Sequence, residues 1–217
     1  MVVNEVKLFG AFNVFVPTRQ SFALPLLVDI NIAVFVWMVF EQRSKTASTD
    51  DLIAFGAIYG PAMHGWGIFR LISSQFIHLS FAHLSSNLYG LVFASLFLRL
   101  VLSNAGLITC YVACGLGAGI TSVLVHPNIV SAGASGAILG LAGILLSLCL
   151  LRDERVDGLT IVILFNISVF VALTLYIGSA TPRIDNAAHI GGVLTGFVVG
   201  AFIHRGHQRI RVVAKSM

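Results

Sequence analysis

The sequence predicts an all-α polytopic membrane protein, a bundle of six transmembrane helices with a membrane-associated first loop. Of the 217 residues, 57% are hydrophobic and 10% charged, which fits a soluble domain poorly and a membrane bundle well. Between Arg99 and Arg152 lie 52 residues without one Asp, Glu, Lys or Arg. One span takes about 20 residues, so this run holds two spans and a turn. The sixteen Phe and twenty-one Gly suit helices packed closely in lipid, where small residues let backbones approach.

The elements follow in order. Residues 1–21 form an N-terminal tail, entered into the first span (22–40) through Pro17-Thr18-Arg19. Asp29 and Asn31 interrupt that span; a carboxylate there is either functional or a hydrogen-bonded group reaching the nearby interface. Residues 41–74 form a long connection, polar to Asp51 and then unusually apolar, with Leu52, Phe55, Trp66 and Phe69. Too short and broken to span, it is expected to lie in the interface against protein. The polar run Ser73, Ser74, Gln75, His78, Ser80, His83, Asn87 opens the second span (82–102) and is expected to line a hydrated pocket. The third span (104–125) ends at His126-Pro127-Asn128, where proline removes a donor and disfavours helix before it. The fourth (133–151), fifth (158–177) and sixth (187–204) follow, with a charged turn at Arg152–Asp157, a return through Pro182, and a basic tail at 205–217.

Six spans place both termini on one side. With the termini in the cytoplasm, inside segments hold nine Lys or Arg and outside segments four (Arg43, Lys45, Arg70, Arg183), as the positive-inside rule favours. Spans two, four and six then run inward from the outer surface. Their first turns carry His83 and Asn87, Ser135, and His189, so four polar residues from three helices share one depth.

Gly133, Gly136, Gly140 and Gly143 are spaced to lie on one stripe of the fourth span; Gly192, Gly196 and Gly200 form another on the sixth, with His189 on it. Such stripes are common in membrane bundles and by themselves carry no chemistry, but packing them together brings Ser135 within reach of His189. A hydroxyl nucleophile needs a base to take its proton, and neutral imidazole can serve. No third carboxylate is obvious: Asp29 is near the opposite face and Asp185 is four residues before His189. A dyad is therefore the simpler arrangement. His83 and Asn87, one turn apart on one face, can donate to a developing oxyanion together with the Ser135 N–H at a helix start.

Other chemistries fit less well. H-E-x-x-H is absent, and an aspartyl site needs two facing intramembrane Asp where only Asp29 lies well inside a span. Cys110, Cys114 and Cys149 sit in apolar runs without a neighbouring His or carboxylate, so they read as packing residues, with no metal and no disulfide framework expected. Basic and aromatic residues do not interleave as in a nucleic-acid groove. Val6–Val16 is too short to span and has no small-residue cleavage pattern before Pro17, and Glu5 argues against an organelle transit peptide, so the tail is expected in the mature protein.

From about Phe55 to Phe202 the chain resembles the rhomboid intramembrane serine proteases. Gly133-Ala134-Ser135-Gly136 is similar to the family's G-x-S-G nucleophile motif, and Ala188-His189-Ile190-Gly191-Gly192 to the motif holding its general base. His83-Leu84-Ser85-Ser86-Asn87 resembles its H-x-x-x-N element, implying oxyanion roles for His83 and Asn87; His78 matches a histidine with a structural role. Phe55 through Arg70 looks like its membrane-associated first loop, with Phe69-Arg70 where a Trp-Arg pair is usual. The acidic residues often seen after the second span are missing near Arg99. The resemblance implies a six-helix rhomboid-like bundle in a bacterial inner membrane. It also implies cleavage of single-span membrane proteins within or near their membrane segment, through an acyl-enzyme and without cofactor. A catalytically silent adaptor of the same fold, binding membrane helices, is the rival; the substrate and the oligomeric state are left open.

Overall fold

The structure, a computed structural model, describes residues 14–42, 46–152, 157–181 and 184–216, without the side chains of 159 and 207–216. The beginning of the expected tail, Lys7, Arg43, Lys45, Arg155, Pro182, Arg183 and the side chains of Arg209, Arg211 and Lys215 lie outside the described residues. Among the described residues are eight α-helices and no strand: α1 (Ala23–Gln42), α2 (Thr49–Phe55), α3 (Arg70–Ser73), α4 (Phe81–Leu98), α5 (Asn104–Val125), α6 (Ser135–Leu150), α7 (Gly158–Ala180) and α8 (Asn186–Ser216). Five of them, α1, α4, α5, α7 and α8, are long and apolar enough to cross a membrane, while α6 is apolar but shorter. The chain is an integral membrane protein built as a helical bundle.

The centre of the bundle is α6. It is apolar on every side, and each residue from Gly136 to Leu145 is buried, as a helix surrounded by other helices requires. The glycines of α8 seat it: a Cβ on Gly192 or Gly196 would collide with the carbonyl oxygens of Gly136 and Gly140, and one on Gly200 would stand 2.8 Å from that of Ile144. On the other side Cys114 of α5 fills the notch at Gly140, while Gly136 admits Ala118. By contrast α7 is the loosest span, 17% buried against 39–44% for the other four long ones.

Helix ends show where apolar pattern alone misleads. The helix α4 stops at Leu98, four residues before the expected 102, because Leu100, Val101 and Leu102 fold back as a turn onto Phe97 and Leu98. Conversely α8 runs on to Ser216, so the basic stretch beyond 204 leaves the apolar pattern without leaving the helix. Asn31 does not break α1; its amide donates to the Leu27 carbonyl at 2.7 Å, one turn back.

The connection between α1 and α4 is a folded cover. Ser48 and Asp51 close a capping box at the start of α2, and Gly56, at φ +103°, ends it in the left-handed conformation that glycine adopts without strain. Arg70 donates to the carbonyls of Ile53 (2.7 Å) and Ala57 (2.9 Å) and lies over the Phe69 ring, clamping the cover shut. Ile58 and Ser131 exchange backbone hydrogen bonds at 2.9 Å, and Gly60 N–H donates to Pro127. The cover is thereby stitched to the segment leading into α6.

Candidate active site

A rule runs through the helix starts. Ser80, Ser103 and Asp157 each accept a first-turn N–H of α4, α5 and α7. Asn104 accepts the Phe22 and Ala23 N–H groups at the start of α1, both at 3.1 Å. Asp185 accepts those of Ala187 (3.1 Å) and Ala188 (3.2 Å) in α8. Among the five long apolar helices and the shorter α6, only α6 begins without a side-chain cap, at Ser135. Its 16 residues reach about 24 Å, less than a hydrocarbon core about 30 Å thick. Free N–H groups at the positive end of a dipole are thus left inside the bundle, where an anion would be held.

Gly133 makes this start possible. It sits before the helix rather than on the α6 stripe predicted for it, at φ +128°, with its N–H donating to Ser74 at 2.9 Å. A Cβ there would stand 2.7 Å from Cε1 and 2.9 Å from Nε2 of His83, and 3.5 Å from the Asn87 amide nitrogen. Both the backbone and the neighbours demand glycine. The glycine that begins the α6 packing stripe is Gly136.

Around this point stand the predicted residues. Ser135 Oγ and His189 Nε2 are 2.9 Å apart, brought together by the glycine contact of α6 with α8. His83 is fixed in the first turn of α4, its N–H bonded to Ser80, and Asn87 follows one turn later. The Asn87 amide nitrogen is buried and has no hydrogen-bond partner among the described residues, a donor held ready beside the start of α6. His78 is 1% exposed, contacts the Phe76 carbonyl at 3.2 Å through Nδ1, and sets its ring edge-on to His83 at 5.1 Å. Arg70, Gly192 and Gly196 stand behind the site in the cover and the packing seam. Of the polar run, Ser74 and Gln75 are buried; Gln75 donates to Leu71 and fills the notch at Gly115.

Sequence reasoning missed Asn186. Its Oδ1 lies 3.2 Å from His189 Nδ1, and its amide donates to the Leu175 carbonyl at 2.9 Å. The signal was a polar residue three positions before His189, on the same helix face. Asp185, considered and set aside as a third group, caps α8 and meets His126 at 3.3 Å. Burial alone would raise its carboxyl, but the hydrogen bonds it receives outweigh that and hold it below its ordinary 3.8.

Site and fold together define a class, the polytopic membrane proteins that carry a serine–histidine pair within the helical bundle. Residues 65–206, more than half of the chain, match the Rhomboid domain, and the chain belongs to the Rhomboid family. It is 30% identical over 175 residues to Rhomboid protease GluP of Bacillus subtilis, covering 79% of this chain and 33% of that protein. It is 33% identical over 154 residues to RHOMBOID-like protein 6, mitochondrial, of Arabidopsis thaliana, covering 70% and 50%. To Rhomboid-like protease 3 of Toxoplasma gondii it is 25% identical over 189 residues, covering 82% and 69%. The chain thus spans a third of the first relative and half of the second.

Proposed function

We propose that this chain is an intramembrane serine endopeptidase that cleaves single-span membrane proteins within or near their transmembrane segment. The observation that carries the reading is the 2.9 Å approach of Ser135 Oγ to His189 Nε2 at the uncapped start of α6. His189 takes the hydroxyl proton as Ser135 attacks the scissile carbonyl. The resulting oxyanion is held by the Ser135 N–H, the Asn87 amide and the His83 imidazole. His189 then gives its proton to the leaving amine, and water hydrolyses the acyl-enzyme with the same base. That two of the relatives are themselves called proteases supports this reading.

Substrate class follows from the surroundings. A cleft of about 230 Å³ opens between α4, α6 and α7, walled by Tyr89, Phe93, Ile138, Leu145, Asn166 and Phe170. Ile138 is one turn along α6 from Ser135, so an apolar segment in the cleft lies along the helix that starts at the nucleophile. A peptide bond in a lipid-embedded helix is already hydrogen-bonded, so substrates that unwind easily at Gly, Pro or polar residues are favoured. The reading places the protein in a bacterial cell membrane with both termini in the cytoplasm.

The test is labelling of detergent-purified protein by a fluorophosphonate, comparing wild type with Ser135→Ala and His189→Ala. Wild type is expected to label, and each variant to fall at least about a thousandfold. A folded wild type that takes no label would sink the protease and leave the helix-binding adaptor.

A further inference from the structure

The cleft is bounded by α7, and the same helix reaches the base through one side chain. We propose that Asn186 is a positioning residue that fixes the tautomer of His189 and ties its ring to α7, an inference that rests on the serine protease reading above. The argument is one of donors and acceptors. The Leu175 carbonyl of α7 can only accept, so the group of Asn186 facing it at 2.9 Å is the NH₂. That turns Oδ1 towards His189 Nδ1 at 3.2 Å, and an amide oxygen can only accept in turn. His189 must therefore carry its proton on Nδ1. Its Nε2 is left with a lone pair facing the Ser135 hydroxyl at 2.9 Å, the form in which imidazole serves as a base. Four groups from three helices make one chain: Leu175 of α7, Asn186 and His189 of α8, and Ser135 of α6.

The link to α7 has a second, independent mark. Gly178, one turn beyond Leu175, faces Asn186 so closely that a Cβ there would overlap Oδ1 and stand 2.8 Å from Cγ. A side chain at that position pushes either α7 or the amide out of place. Because α7 is the least buried span, it is the wall most easily moved by a helix entering the cleft. Its seating and the order of the base are coupled through the Asn186 amide.

The experiment has a spectroscopic and a kinetic arm. In wild-type protein with ¹⁵N-labelled histidine, the His189 signals, assigned by their loss in His189→Ala, are expected to show the Nδ1–H tautomer. In Asn186→Ala a mixture of tautomers is expected, and fluorophosphonate labelling falls about a hundredfold, the scale of a misplaced general base. Asn186→Asp keeps the acceptor for Nδ1–H while giving up the donor to Leu175, so it restores the Nδ1–H tautomer and stays within about tenfold of wild type, a rescue that a merely structural role would not give. Gly178→Ala lowers labelling about tenfold at an unchanged thermal midpoint. An Nε2–H tautomer in wild type overturns the proposal without any variant at Asn186. Labelling of folded Asn186→Ala at the wild-type rate also overturns it while leaving the protease standing, and an indifferent Gly178→Ala overturns the tie to α7. A wild type that never labels removes the protease reading, and this inference with it.

Discussion

Asp185 and Asn186 are adjacent, both polar, and do different work. The asparagine turns to the His189 ring; the carboxylate turns to the backbone, accepting from Ala187 and Ala188 and meeting His126 from the end of α5. Removing the carboxylate leaves two first-turn N–H groups unsatisfied at the start of the helix that carries His189. Asp185→Ala is therefore expected to lower stability at pH 7 by about 1–2 kcal/mol, the cost of a lost cap. Its pH dependence has a definite sign. The folded carboxyl titrates below its ordinary 3.8, so its contribution is fully present above that value and is lost as pH falls through the folded value. Thermal unfolding in detergent should show the gap between wild type and Asp185→Ala narrowing below about pH 4. A gap that widens below about pH 4 would contradict the assignment.

Between α6 and α8 the contact is backbone against backbone, and α8 responds unequally to added volume along its length. A Cβ at Gly196 collides with the Gly140 carbonyl oxygen, whereas one at Gly206, in the same helix, meets nothing within 4 Å. Gly196→Val should destabilise the protein by about 2–3 kcal/mol or more, and Gly206→Ala should leave it unchanged or up to about 1 kcal/mol more stable. Melting curves of the two variants decide it, and equal effects would refute the seam. This pairing was legible because spacing by three and four maps directly onto a helix face. So was the end of α5, marked by His126-Pro127. The end of α4 was not, since Leu100–Leu102 continues the apolar run through a turn. Nor was the length of α8, because charge marks the edge of lipid and not the end of a helix. Gly133 was assigned to a helix because its +128° φ is a property of the loop's three-dimensional path. Asn186 stayed hidden because spacing shows who can meet but not which way an amide turns.

Taken whole, the bundle is asymmetric across its thickness. The cover formed by α2, α3 and the turns between them lies at the same end as the starts of α4, α6 and α8, and Arg70 is spent there on the carbonyls of Ile53 and Ala57. At the other end Arg99, Arg152 and Arg205 stand close after the ends of α4 and α6 and along α8. Cations that follow helix ends with apolar flanks are the ones that resist translocation, so this second end should face the cytoplasm. The site then opens towards the outer surface, and the short α6 sets Ser135 below it, under the cover. A C-terminal fluorescent-protein fusion should fluoresce in a bacterial host, and the matching alkaline phosphatase fusion should be inactive, because the two reporters work on opposite sides of the membrane. The reverse pattern would turn the bundle over. The cover and Ser135 would then face the cytoplasm, and on the protease reading proposed above cleavage would fall near the cytoplasmic rather than the outer end of a membrane segment.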